Sequence, residues 1–284
     1  LVQASTGGER GAGNRFLEAA STNGIDLSGF YCSIVEGEPS AREAALAVPG
    51  AGRTAVLFTS TPDGEERVSE LARVIERAAR AHDGVKLAQT LLTTEESVCI
   101  PAYLEAGFED LAELAYLRRP MPKAGQYEEP TAWPEGIRLE PGNEVSDADF
   151  LAGLQASYVD TLDCPRLCGL RDAQDVLDSH RATGIFDASL WTLIRFQDRP
   201  VGAMLLNSCP DQNAVELVYV GIAPEVRGIG LGSQLMRFAL WKLGGRSEGF
   251  LTCAVDLANK PAMKLYDAFG FVEFGRRRAL VCGL

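Results

Sequence analysis

Along the chain, short runs in which apolar and polar residues alternate are separated by stretches in which apolar residues recur every three or four positions. Alternation is the period of a strand and the longer spacing that of a helix. In the second half, strand patterns run over 189–196, 201–207 and 214–222, followed by a helix at 232–243, a strand at 250–255, a helix at 260–269 and a closing strand at 271–281. The first half shows strands at 30–35, 44–48 and 54–59, then a helix at 65–81, a strand at 86–92, a helix at 95–106 and a strand at 111–117. Strands with interspersed helices predict an α/β chain of the α+β kind, a mixed sheet covered by helices on both faces.

The halves resemble each other in detail. Tyr266, Gly270 and Phe271 close one helical pattern before the last strand, and Tyr103, Gly107 and Phe108 close another; 266 − 103, 270 − 107 and 271 − 108 all give 163. A glycine after a helix is ordinary, but the same order of elements upstream points to an internal repeat. Between the halves lie Pro120, Pro122, Pro130, Pro134 and Pro141 with little apolar periodicity. That is linker composition. The predicted organisation is a domain at 1–120, a linker at 121–136 and a domain at 137–284.

Charge narrows the partners. With 27 Lys and Arg against 39 Asp and Glu, the net charge of −12 repels a polyphosphate backbone, so no nucleic acid is expected, and cationic partners such as amines are favoured. The apolar runs, 217–223 among the strongest, are far too short to span a membrane, and no secretory leader is visible. Seven cysteines are an odd number, several of them, such as Cys253, inside apolar runs. Cys164 and Cys168 lack a second pair at zinc spacing and the only histidines are His82 and His180, so no metal site is expected. The expectation is a reduced, cytoplasmic chain. Nothing in the pattern fixes an oligomeric state.

One segment carries candidate chemistry. The strand ending at Pro224 is followed by Gly228, Gly230 and Gly232 and then by an amphipathic helix. Glycines let backbone N–H groups turn inward, and a helix start adds partial positive charge, which together suit a pyrophosphate. The spacing is neither a P-loop, which needs a lysine, nor Gly-x-Gly-x-x-Gly. By itself it is either an anion site or a structural turn. A second glycine-rich stretch, 10–13, has no long strand before it and reads as a flexible turn.

Arg227, Gly230 and Gly232 together resemble the Arg/Gln-x-x-Gly-x-Gly/Ala signature of the GNAT superfamily of acyl-CoA-dependent N-acyltransferases. Further on, the strand 250–255, Asn259, Ala262, Tyr266, Gly270 and Phe271 resemble that superfamily's second block. The resemblance covers 137–284. It implies acetyl-CoA as co-substrate, with pyrophosphate on the amides of Gly228, Ile229, Gly230, Leu231, Gly232 and Ser233. It also implies pantetheine pairing along Val220, Gly221 and Ile222, where two parallel strands splay apart. The first half resembles the degenerate domain of tandem members, mycothiol synthases among them. It keeps Pro62 but has Glu65 and Glu66 where phosphates would sit, and Glu96 where the second half has Asn259.

Acetyl transfer to a primary amine of a small molecule or peptide needs a base for the ammonium and a proton for the departing thiolate. The resemblance implies Tyr266 as the acid; otherwise it is a core aromatic. Asn259 is a helix N-cap that the resemblance also places on the cofactor. Strict alternation puts Glu216, Val218, Val220 and Ile222 on one face, with Tyr219 on the other as packing. Glu216 is then a base or a solvated edge carboxylate. His180 reads as a surface residue. Asp160, Asp163, Asp172, Asp175 and Asp178, within 150–181, either hold the amine or form a solvated acidic face. The alternative function is a non-catalytic acyl-CoA-binding sensor or interaction module.

Overall fold

The computed structural model describes residues 24–37 and 40–284, with Glu18, Ala20 and Thr22; the turn expected at 10–13 lies outside them. The described residues pack as two units, one of residues up to Ala112 with Arg277–Leu284, the other Glu113–Arg276.

The first unit contains β1 (Phe30–Ser33), β2 (Glu43–Gly50), β3 (Thr54–Thr59), α1 (Val68–Ala79), β4 (Leu87–Leu92) and α2 (Ile100–Glu105). β1, β2 and β3 are antiparallel, β3 runs parallel to β4, and β4 pairs antiparallel with residues 278–283. Leu71, Ala72, Val74, Ile75, Ala78 and Ala79 recur at helical spacing along α1 and bury its apolar stripe against Ala45, Ala47, Ala55 and Leu57 of the sheet.

The second unit contains β6 (Ile137–Pro141), α3 (Asp147–Tyr158), α4 (Ala173–Ala182), β7 (Thr192–Phe196), β8 (Arg199–Cys209), β9 (Ala214–Ile222), α5 (Leu231–Lys242), β10 (Phe250–Asp256) and α6 (Lys260–Ala268). β6, β7, β8 and β9 are antiparallel, β9 runs parallel to β10, and β10 pairs antiparallel with residues 114–120. Leu231, Leu235, Met236 and Tyr266 bring α5 and α6 onto one face. Phe150, Leu154 and Leu177 bring α3 and α4 onto the other, over Trp191, Leu193, Ala203 and Leu205. This is the expected mixed sheet with helices on both faces.

The repeat is structural. The α1 and α5 helices start at Val68 and Leu231, β4 and β10 at Leu87 and Phe250, and in each pair the offset is 163 (231 − 68, 250 − 87). The Tyr-Gly-Phe signature is a helix stop of the Schellman type. Phe271 N–H donates to the Tyr266 carbonyl at 3.1 Å and Gly270 N–H to the Asp267 carbonyl at 3.0 Å. In the first unit Phe108 N–H donates to the Tyr103 carbonyl at 2.9 Å and Gly107 N–H to the Leu104 carbonyl at 3.1 Å. Both stopping glycines have positive φ, 74° and 87°, which a side chain would resist.

The units do not follow the division at 1–120 and 137–284. The boundary cuts β5 (Glu109–Pro120) and β11 (Val272–Gly283), each 12 residues long. A strand of that length can serve two ladders, which composition does not reveal. Nor are residues 121–136 a free linker. Met121, Tyr127 and Trp133 pack on the second unit's core, Trp133 meets Phe238 edge-on at 5.9 Å, and the Arg119 guanidinium donates to the Tyr127 hydroxyl and the Phe269 carbonyl. The prolines prevent regular structure, while three apolar anchors tie the segment down.

Candidate active site

β9 and β10 pair at only three positions, the last joining Glu216 to Thr252. Beyond it β9 continues to Ile222 and β10 to Asp256 with no ladder between them. The gap opens into a cleft of about 700 Å³ lined by Leu217 to Ile222, the glycine turn, Asn259 and Tyr266. Within the splayed stretch Val220, Gly221 and Ile222 pair with β8 on one side only, so their other backbone edge faces the cleft.

A register shift between Leu205 and Leu206 overturns the strict alternation expected along β9. Val218 and Tyr219 both pack on the α3 side, whereas Val220 and Ile222 pack on the α5 side. One extra residue in a strand makes two neighbours share a face and inverts the pattern beyond it. Glu216 therefore shares its face with Tyr219, not with Val220 and Ile222. Tyr219 is more than packing, since it also lines the cleft, with its hydroxyl 2.7 Å from the Ser157 hydroxyl.

At the open end of the cleft Gly228 and Gly230 adopt φ of 77° and 83°, and a Cβ built on either meets nothing within 4 Å. The amides of Gly228, Ile229, Gly230, Leu231 and Gly232 donate to no protein acceptor among the described residues, whereas Ser233 N–H already donates to the Gly230 carbonyl at 3.1 Å. Gly230 is the N-cap of α5, so the helix's partial positive charge adds to the row. Such a cradle fits a pyrophosphate. Ile229 contributes its amide alone, its side chain being half exposed and outside the cleft lining.

Arg227 also lines the cleft. Its guanidinium donates to the carbonyls of Ile222, Asp160, Ser157 and Val159 at 3.0, 2.9, 3.1 and 2.7 Å. Four bonds occupy most of the five donors of the group, and they fasten the segment after α3 to the end of β9. Arg227 positions the cleft wall.

Asn259 caps α6, its side-chain oxygen accepting from Ala262 N–H at 3.2 Å, and it also borders the cleft. About two turns on, the Tyr266 ring is buried 5.3 Å from Phe271, and the residue borders the cleft. Burial first, and then the Cys253 and Asp163 side chains, hold the Tyr266 proton well above the usual phenol range. Glu216 sits at the closed end, beside the lining rather than within it. Burial raises its pKa, and the Cys209 thiol donates weakly to its Oε2 from 3.8 Å.

Two expectations about the α3–α4 side change. His180 is not a surface residue. Its ring lies against Tyr219 at 5.4 Å, its buried Nε2 has no hydrogen bond, and burial lowers its pKa to about 4, so it is neutral at pH 7. The acidic run is no single solvated face either. Asp175 is buried, while Asp160 and Asp163 line the cleft. Asp163 is open to the cleft yet surrounded by protein, and that burial raises its pKa despite the hydrogen bond it accepts from Asp256 N–H.

Among its described residues the first unit fills the matching positions differently. Glu65–Arg67 form a 3-10 turn where the second unit has its glycines. Thr93 and Glu96 close a capping box, with Thr93 N–H donating to Glu96 and Glu96 N–H to the Thr93 hydroxyl. Tyr103 is fully buried, edge-on to Phe108 at 5.0 Å.

Parts of the chain are similar to known proteins. The acetyltransferase (GNAT) family model matches residues 159–271. A mycothiol acetyltransferase of Thermomonospora curvata is 29% identical over 180 residues, covering 61% of this chain and 57% of that protein. The peptidyl-lysine N-acetyltransferase YjaB of Salmonella typhimurium is 34% identical over 90 residues, 32% of this chain and 54% of that protein. The chain thus aligns with little more than half the length of these curated relatives. In fold it resembles a GCN5-related N-acetyltransferase from Sphaerobacter thermophilus, with a TM-score of 0.59 at 18% identity over 99% of this chain and 89% of that one. One family match takes in the splayed strands, the glycine turn and the helix of Tyr266 together, so that over residues 159–271 the chain is similar to the acetyltransferase (GNAT) family.

Proposed function

We infer that the second unit moves an acetyl group from acetyl-CoA to a primary amine of a small molecule or peptide. The observation that carries this reading is the cleft itself, lined by the turn with its unbonded amides and by Tyr266, with Glu216 beside it where the two strands part. The amides from Gly228 to Gly232 would hold the pyrophosphate, and the free edge of Val220 to Ile222 would pair with pantetheine. Glu216, with its proton affinity raised by burial, takes a proton from the attacking ammonium directly or through water. Tyr266, protonated throughout the neutral range, gives its proton to the departing thiolate. The family match and the acetyltransferase relatives support the same reading.

Acetyl-CoA is expected to bind at one equivalent per chain, since the first unit has Glu65 and Glu66 in place of the glycine turn and Tyr103 sealed in its core. Calorimetry on the full chain measures this, because a cut at 120 would remove the strand that pairs with β10. Two equivalents would show that the first unit keeps a site; binding without turnover over a broad amine panel would favour a sensor.

Glu216→Gln should lower activity most at neutral pH and recover as pH rises and the acceptor amine deprotonates unaided. The same change should not destabilise the fold. A carboxyl whose pKa is raised by folding stabilises the native state below its unfolded pKa and loses that contribution as pH rises through the folded value. Once ionised, the buried carboxylate is a cost to the fold, so the Gln variant should melt no lower than wild type. A pH–rate profile parallel to wild type's would remove Glu216 from the mechanism.

A further inference from the structure

The face that carries Glu216 continues onto β10 and β5. Thr252 is in register with Glu216 on one side and with Arg118 on the other. Directly opposed residues in neighbouring strands point to the same face, so the three form a row. Two strand spacings put the backbones of Glu216 and Arg118 about 10 Å apart. On this face α3 packs over β7, β8 and β9, and Ala254 and Arg118 are exposed.

Aromatic rings hold the Arg118 side chain. Its guanidinium carbon lies 4.9 Å from the Phe250 ring centre and 5.2 Å from that of Phe274, and Tyr116 meets Phe274 edge-on at 6.3 Å. No carboxylate or hydrogen-bond partner of the Arg118 guanidinium is found among the described residues. Its neighbour Arg119, by contrast, is buried and bonded. In a chain of net charge −12, acidic groups able to neutralise a cation are abundant, yet this one is stacked and left open. Stacking fixes the plane of the guanidinium and leaves its donors for a planar or tetrahedral anion.

We propose that Arg118, clamped between Phe250 and Phe274, is an anion subsite for the acceptor, so that the acetylated amine is a small molecule that also carries a carboxylate or a phosphate. The subsite rests on the acetyl-transfer reading, because Glu216 marks where the amine nitrogen lies. A nitrogen at Glu216 and an anion at Arg118 are several bonds apart, which suits ω-amino acids or amino-alcohol phosphates better than α-amino acids. Polyamines would be repelled by like charge.

The test uses matched amines on the full chain in the presence of CoA: γ-aminobutyrate against γ-aminobutyramide, O-phosphoethanolamine against ethanolamine, and spermidine. Calorimetry should show the anionic member of at least one pair binding about 10–100-fold more tightly, the range of a charge-assisted hydrogen bond, with spermidine weakest. The pair that shows the preference tells carboxylate from phosphate. Arg118→Gln should erase the preference, and Arg118→Lys, which keeps charge without planar stacking, should retain part of it. Equal binding within both pairs, or a preference that survives Arg118→Gln, overturns the subsite. Because amine binding needs no turnover, the two readings fail separately: Arg118-dependent binding without turnover of any bound amine would sink acetyl transfer and leave the subsite standing.

Discussion

Replacing Tyr266 by Phe should lower turnover by about 10²–10⁴-fold, the usual weight of a general acid, while acetyl-CoA affinity holds. The ring, its contact with Phe271 and the carbonyl that receives the Phe271 amide all survive the change, so only the proton donor is lost. Burial keeps that proton in place through the whole assay range. The repeat supplies an internal control. Tyr103 has the same helix stop and a comparable aromatic contact, but its hydroxyl is buried and makes no hydrogen bond. Tyr103→Phe should therefore leave turnover unchanged and stability equal or slightly higher, since an unsatisfied buried group is removed. Steady-state kinetics beside calorimetric titration of acetyl-CoA decide the matter. Full turnover in Tyr266→Phe would mean that water or the acceptor protonates the thiolate.

Gly230→Val should abolish acetyl-CoA binding, and Gly232→Ala should not. Gly230 has φ of 83° and lies at the start of α5. A β-branched residue there resists the left-handed backbone at a cost of about 1–2 kcal/mol, and its side chain projects into space that now meets no protein atom. Gly232 has no such φ, and a Cβ there would make an ordinary contact of 3.6 Å with Leu265. Both variants should fold. The Gly230 variant should melt about 2–8 °C lower, given roughly 2–4 °C per kcal/mol in a unit of this size. A folded Gly230→Val variant that binds acetyl-CoA as wild type does would reduce the turn to a structural role.

Local chemistry made much of the site legible. The glycine turn, the Asn259 cap and the Tyr266 helix stop depend on residues within a few positions of one another, so spacing along the chain is enough to find them. The α1 and α5 helices were legible for a related reason, because their apolar stripe repeats along a single element. Arg227 was found as part of a motif, but its work could not be read there. Its acceptors at Ser157, Val159 and Asp160 lie roughly 70 residues away. His180 reads as exposed in a polar helix; only the Tyr219 ring laid against it makes it a buried neutral base.

Along the chain alone, then, one reads a mixed sheet with helices, an internal repeat with an offset of 163, and a glycine-rich turn into a helix in the second copy alone. These follow from periodicity, from turn chemistry and from which residue types occupy matching positions. Tertiary structure decided the rest. The bulge at Val218 sets which β9 residues face which helices, and a single inserted position reverses that assignment without leaving any composition signal. Strand pairing brings Glu216, Thr252 and Arg118 into one row, although nothing local relates position 118 to position 216. It also places 114–120 beside β10 and 278–283 beside β4. A ladder is a contract between distant segments, and two equally apolar strands do not reveal in their own residues which partner they will take.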